Sequence, residues 1–212
     1  HFETVLKINP KFELAYYELA GVRLFQNKPT ITLATLKKAG EQFKPRFITK
    51  FYAGLAHSAL YQYPKAIENL LDAEKLAQAG EQNRLTHFFY FQLGAAYERN
   101  RQYETSDETF NKAIEMAPEY HNAMNYLGYM WADINRNLDE AAKHITMANE
   151  LSPDNASYVD SLGWLYFRQG KFTEALAELQ RAAELIKDEP DSTIHEHIGD
   201  THQQLGQADE AR

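Results

Sequence analysis

Apolar residues recur along this chain at intervals of three and four, in blocks about a dozen residues long that are separated by short polar turns, which is the signature of amphipathic helices. The clearest case surrounds Gly163. Leu162, Gly163 and Tyr166 form the stripe of a first helix, Gly170 and Lys171 supply a turn, and Phe172, Ala175, Leu179 and Ala182 form the stripe of a second. The same hairpin returns along the chain, each time with a small residue at one place in its first helix: Ala20, Gly54, Gly94, Gly128, Gly163 and Gly199, with gaps of 34, 40, 34, 35 and 36 residues. Small residues let two helices approach closely, and the aromatics fill the wedge between them. A period of this size predicts a solenoid, in which each repeat covers the apolar face of the next.

The other units follow the same plan. One contains Leu93, Gly94, Tyr97, Tyr103, Phe110, Ala113 and Pro118; the next contains Leu127, Gly128, Trp131, Leu138, Ala141, Ile145, Ala148 and Pro153, with one extra residue in its turn. Pro118 and Pro153 stand just past a second helix, where a proline removes no interior hydrogen bond, and Asp154 and Asn155 are placed to cap the helix that follows. The recurrence of Leu-Gly, an aromatic three residues on, two alanines seven apart and a closing proline resembles the tetratricopeptide repeat (TPR) family. That resemblance implies an all-α, right-handed α-solenoid of antiparallel helix pairs, a TPR superhelix of about five full repeats with partial repeats at both ends. Two departures stand out. Thr32 and Ser106 replace the first alanine of the second helix, which predicts looser packing there. The unit after Ala73 lacks its proline and gains six residues through Ala79, Gly80, Glu81 and Gln82, which predicts a longer second helix and a shifted stack.

One array over residues 1–212 is expected: 1–12 as the end of a truncated repeat, full repeats at 13–46, 47–86, 87–120, 121–155 and 156–191, and a truncated repeat at 192–212 in which a last helix begins at Ala211 and Arg212. Apolar faces at both ends suggest a piece of a longer protein. At 44% apolar and 25% charged residues the composition is ordinary for a water-soluble chain, and the absence of cysteine excludes disulfides and thiolate metal sites. Charge is unevenly placed. Residues 1–120 carry 15 Lys+Arg against 14 Asp+Glu, a net of +1, whereas residues 121–212 carry 7 against 16, a net of −9. An acidic half without a basic stripe elsewhere argues against nucleic acid as a partner.

In a TPR stack the first helix of each pair lines the inner, concave wall, so the resemblance implies that its exposed face meets a protein or peptide partner. In the first repeats that face holds Leu14, Tyr17, Leu24 and Phe25, then Ile48, Phe51 and Leu55, then Phe88, Phe91 and Glu98. In the later ones it holds Asn122, Asn125 and Tyr129, then Asp160, Trp164 and Phe167, then Glu196 and Asp200. The expected groove has two parts. The first grips apolar side chains; the second uses amide and carboxylate groups, four residues before an aromatic, to hold extended backbone and a basic side chain. The alternative is that neighbouring helices bury these aromatics. Carboxylate capture of the kind used by some TPR cochaperones is rejected, because no Lys or Arg stands among Tyr17, Phe51, Phe91, Asn125 and Asp160.

Candidates for chemistry fail on spacing. His195, His197 and His202 lack the four-residue interval a helical metal site needs, so no metal or other cofactor is expected. His195 and His202 fall at places where other repeats put inter-helix side chains, and His197 has Asp200 as its nearest coordinating neighbour. His57 reads as core and His144 as solvated. Asp107-Glu108 and Asp139-Glu140 favour the positive end of a helix dipole. There is no nucleophile elbow and no phosphate loop, so the segment reads as non-catalytic. The stretch from Asn122 to Arg212, through Asn125-Tyr126-Leu127-Gly128-Tyr129, Asp160-Ser161-Leu162-Gly163-Trp164 and Asp209-Glu210-Ala211, also resembles bacterial envelope TPR proteins, often lipoproteins, some of which deliver substrates to a periplasmic protease. This implies a scaffold or adaptor with a periplasmic or outer-membrane-associated setting; the cytoplasm stands as the alternative. The competing functions are a self-assembly module joined through open repeat ends and a repeat region attached to an enzymatic machine.

Overall fold

The computed structural model describes residues 1–207. Among these it contains twelve α-helices, one 3₁₀ turn and no strand. The chain divides into two compact units, residues 1–113 and 114–212. The expected start of a helix at Ala211 and Arg212 lies outside the described residues.

Unit 1 contains α1 (Phe2–Ile8), α2 (Glu13–Phe25), α3 (Pro29–Gly40), α4 (Phe47–Ala59), α5 (Tyr63–Gly80), the 3₁₀ turn Gln82–Arg84, α6 (His87–Arg99) and most of α7 (Tyr103–Met116). Prolines open α3 and α5, where a missing N–H costs nothing. Thr86 caps α6 by accepting from the Phe89 amide. The six additional residues of the second repeat lengthen α5 to 18 residues and place the 3₁₀ turn between α5 and α6. Unit 2 contains α8 (His121–Asp133), α9 (Leu138–Leu151), α10 (Ala156–Arg168), α11 (Phe172–Leu185) and α12 (Ser192–Gln204). Asn155 and Asp191 cap α10 and α12 by accepting from the amides of Ser157 and Thr193.

Four hairpins close on one tight helix–helix contact. A Cβ on Gly54 would stand 2.7 Å from Leu70 Cγ, on Gly94 2.8 Å from Phe110 Cδ1, on Gly128 2.7 Å from Ile145 Cγ1 and on Gly163 2.7 Å from Leu179 Cγ. Those four partners are all completely buried, so the recurring small residue is the point at which the two helices touch. The turns repeat as well. Asn27, Tyr61, Arg101, Asn135, Gly170 and Gly206 all have left-handed backbone, with φ of 54° to 75°, and each stands just past the end of a first helix.

The expectation of looser packing at Thr32 and Ser106 is corrected. Both are completely buried. Ser106 Oγ donates to the Gly94 carbonyl at 2.9 Å, and Thr32 Oγ1 reaches the carbonyls of Lys28 at 3.1 Å and Ala20 at 3.4 Å. A hydroxyl therefore ties the second helix to the first where alanine would only fill space.

Candidate functional site: the first-helix faces

In unit 1 two open clefts lie on the side of the first helices. One, of about 300 Å³, is lined by Glu13, Leu14, Tyr17 and Glu18 of α2, by Arg46, Ile48 and Tyr52, and by Glu81 and the 3₁₀ turn's Arg84. The other, of about 310 Å³, is lined by Phe47, Ile48, Phe51 and Tyr52 of α4, by Asn83, Arg84 and Thr86, and by Phe88 and Phe89 of α6. They share Ile48, Tyr52 and Arg84, so they are two ends of one trough. Leu14 is 54% exposed and Phe88 44% exposed at its two ends.

The aromatic floor is closely packed. Phe47 and Phe51 stack at 5.3 Å, and Phe89 packs 5.7 Å from Phe47 and 5.9 Å from Phe51. Phe88 meets Phe51 edge-on at 6.3 Å. At the polar end, Arg46 grips Glu13 with two nitrogens, at 2.9 and 3.1 Å. The Tyr17 hydroxyl donates to the same carboxylate at 2.6 Å, and burial, then this bond, push its pKa up. The Tyr52 hydroxyl is also pushed up, first by burial and then by the negative charge of Glu18.

In unit 2 the corresponding faces converge on a buried cluster. His197 Nδ1 donates to Asp160 Oδ1 at 2.9 Å, and both side chains are more than nine-tenths buried. The His197 ring stacks on Trp164 at 4.2 Å and lies 6.4 Å from Tyr129. Phe167 stacks on Trp164 at 4.7 Å. Asn125 Oδ1 and Trp164 Nε1 are buried without a hydrogen-bond partner among the described residues. Asn122 accepts a short hydrogen bond from the Tyr158 hydroxyl, whose lone pairs accept from His121 Nδ1 at 2.7 Å.

Burial, followed by the negative potential of the Tyr120 and Tyr126 phenolates at high pH, pushes Tyr158 up to about 12. The folded chain thus holds this proton more tightly than the unfolded chain. Stability is expected to fall as pH climbs from about 10 to about 12, because only the unfolded form ionises there. An ultraviolet tyrosinate titration of wild type and Tyr158→Phe, run beside urea melts, checks this: the variant lacks the last ionising step.

The expected site residues divide by burial. Tyr17, Phe51, Asn125, Asp160 and Trp164, expected on an exposed face, are buried. The cause is lateral packing of successive first helices: Phe51 lies against Phe88 and Phe89 of α6, and Asp160 and Trp164 lie under His197 of α12. Leu55, Phe91, Asn122, Tyr129 and Phe167 are half-buried, and Phe88 is exposed. Phe25, 94% exposed at the end of α2, lines neither cleft. Trough residues absent from the expected face include Glu18, Tyr52 and Arg84. Glu18 and Tyr52 occupy one column, 34 residues apart, next to the column of Tyr17 and Phe51; Arg84 sits in the insertion, whose presence was the available signal.

The histidines need correction. His195 is exposed and His197 is the buried one. Val159, the counterpart of His195 one repeat earlier, is covered by Ala182 and Ile194; among the described residues no helix follows α12 to cover His195. His197 pairs with Asp160 and not with Asp200. His202 bonds Gln207, and His57 is only half-buried and bonds Gln62. His144 packs its ring 5.5 Å from Trp131 instead of standing in solvent.

The repeat geometry has a match among known families. The family model for the tetratricopeptide repeat matches residues 91–156, 135–192 and 161–212. The chain belongs to the tetratricopeptide repeat family. Similar to this TPR chain is a TPR repeat-containing protein of Pseudomonas aeruginosa, 36% identical over 87 residues, covering 41% of this chain and 14% of that protein. Anaphase-promoting complex subunit 3 of Schizosaccharomyces pombe is 32% identical over 98 residues, covering 46% of this chain and 15% of that protein. The TPR chain therefore matches only a small part of the length of these relatives. Among solved structures, YrrB, described as a TPR protein with an unusual peptide-binding site, superposes with a TM-score of 0.64 at 21% identity, covering 92% of this chain and 95% of that one. A tetratricopeptide repeat protein from Parabacteroides merdae gives 0.75 at 15% identity, covering 99% and 80%. These likenesses establish the TPR fold, an architecture for protein–protein interaction. Among the described residues no helix is long and apolar enough to cross a membrane.

Proposed function

We propose that this TPR chain is a scaffold that holds an extended segment of a protein partner in the trough of unit 1. The observation that carries the reading is the trough itself, an open channel with a closely packed phenylalanine floor and exposed apolar side chains, Leu14 and Phe88, at its ends. Exposed apolar surface next to a preformed concavity is costly in water and is relieved when a partner side chain enters. The peptide-binding site in the description of YrrB supports the same use of the fold. Panning a random-peptide phage library against the chain tests it. Enriched sequences are expected to share an apolar anchor, and their binding is expected to drop at least tenfold, about 1.4 kcal/mol, in Leu14→Asp/Phe88→Asp. Equal enrichment on wild type and variant would overturn the reading. For the role in the cell, we propose an adaptor of the bacterial envelope, in keeping with the bacterial TPR relative; fractionation of source cells, followed by co-purification of partners, tests that role.

A further inference from the structure

The trough has chemically distinct ends, and one carboxylate at the polar end is left over. Glu13 is held by Arg46 at 2.9 Å, and Glu81 by Arg84 at 3.5 Å. Glu18 lines the same cleft, is exposed, and has no ion-pair partner among the described residues. The polar end therefore presents one uncompensated negative charge, close enough to add to burial in raising the pKa of the Tyr52 hydroxyl. The opposite end, reached past Ile48 and Tyr52, is walled by Phe47, Phe51, Phe88 and Phe89. The insertion after α5 contributes Arg84 to both ends and Asn83 to the apolar one, so a segment lying in the trough runs beside it.

Resting on the reading of the trough as a peptide site, we infer that its occupant is an extended peptide carrying a basic side chain that meets Glu18 and an apolar side chain that enters the phenylalanine end. Charge complementarity selects the occupant. A lysine or arginine gains a charge-assisted bond at Glu18, whereas a glutamate there meets a like charge that no arginine of the cleft neutralises. In an extended segment, residues two apart point to the same face, so the two anchors stand at i and i+2 or further apart by an even number.

The test uses the whole chain and blocked seven-residue fluorescent peptides with phenylalanine at the centre and lysine, glutamine or glutamate two positions to either side, read by anisotropy. Lysine peptides are expected to bind about three- to tenfold more tightly than glutamate peptides at low salt, a gap that narrows as salt rises. Glu18→Gln is expected to abolish the gap and Glu18→Lys to invert it, while Phe88→Ala weakens every phenylalanine peptide regardless of charge. Glu18 is exposed, so its replacement leaves the fold intact. Phenylalanine-dependent binding that ignores charge, or a lysine preference that survives Glu18→Lys, would overturn this inference and leave the trough reading standing. No binding by any peptide would overturn both.

Discussion

Leu179→Ala is expected to destabilise unit 2 by about 2–5 kcal/mol, and Gly163→Ala by up to about 2.5 kcal/mol, yet the two together are expected to cost less than their sum by about 1 kcal/mol or more. The reasoning follows the contact between α10 and α11. Leu179 is completely buried, and its Cγ and Cδ2 would stand 2.7 and 2.8 Å from a Cβ on Gly163. No real Cβ tolerates that distance, so Gly163→Ala alone pushes the helices apart, at a cost of about 1–3 kcal/mol. Against it stands a gain of about 0.5–1 kcal/mol from replacing a helical glycine. Removing the leucine branch vacates the space the new methyl needs, and the methyl in turn fills part of the cavity. The Ala175 carbonyl, 3.2 Å from the same position, keeps the relief incomplete. Shifts of the urea midpoint in a double-mutant cycle measure the coupling. Additive costs would show that the glycine is present for some reason other than helix approach.

His197→Phe is expected to loosen α12 by about 3 kcal/mol while leaving the rest of unit 2 in place. Phenylalanine preserves a flat ring against Trp164 but removes the nitrogen that meets Asp160 at 2.9 Å. A carboxylate that is 7% exposed would then be buried without a partner, which is the costly half of breaking a buried pair. Adding Asp160→Leu is expected to recover most of the loss, because no charge is then left in the interior. Amide hydrogen exchange localises the effect: exchange across α12 is expected to rise on the order of a hundredfold in the single variant and to return toward wild type in the double variant. Unchanged exchange in the single variant would mean that the pair contributes nothing to docking α12.

The hairpins were legible in the sequence because steric demand leaves a composition mark. Gly54, Gly94, Gly128 and Gly163 are small for the reason their spacing suggested: Leu70, Phe110, Ile145 and Leu179 fill the space opposite them. Hydrogen bonding leaves no such mark. Ser106 and Thr32 looked like weakened alanines because periodicity registers size and polarity but not a carbonyl within reach across the hairpin. The binding face was legible as a set of helix positions and illegible in depth. Tyr17, Phe51 and Trp164 sit on the first-helix face but are covered by neighbours from adjacent repeats, a contact many residues away in sequence. The pairing of His197 with Asp160 is illegible for the same reason, since the two are 37 residues apart. Arg84 and Asn83 lie in residues that break the period, so a reading built on the period passes over them.

The shared turn geometry gives the array an asymmetry in how well its corners suit their backbone. Gly170 and Gly206 take their left-handed turns without strain, and Asn27 and Asn135 take them cheaply, but Tyr61 and Arg101 hold the same conformation with side chains that disfavour it. Tyr61 stands 80% exposed at its corner, so its ring supplies little packing in return. The hairpins of unit 1 closed by those two residues thus fold against a local preference that the others do not face, and glycine or asparagine at these two corners would bring the whole series to a common backbone standard without touching either the core or the trough.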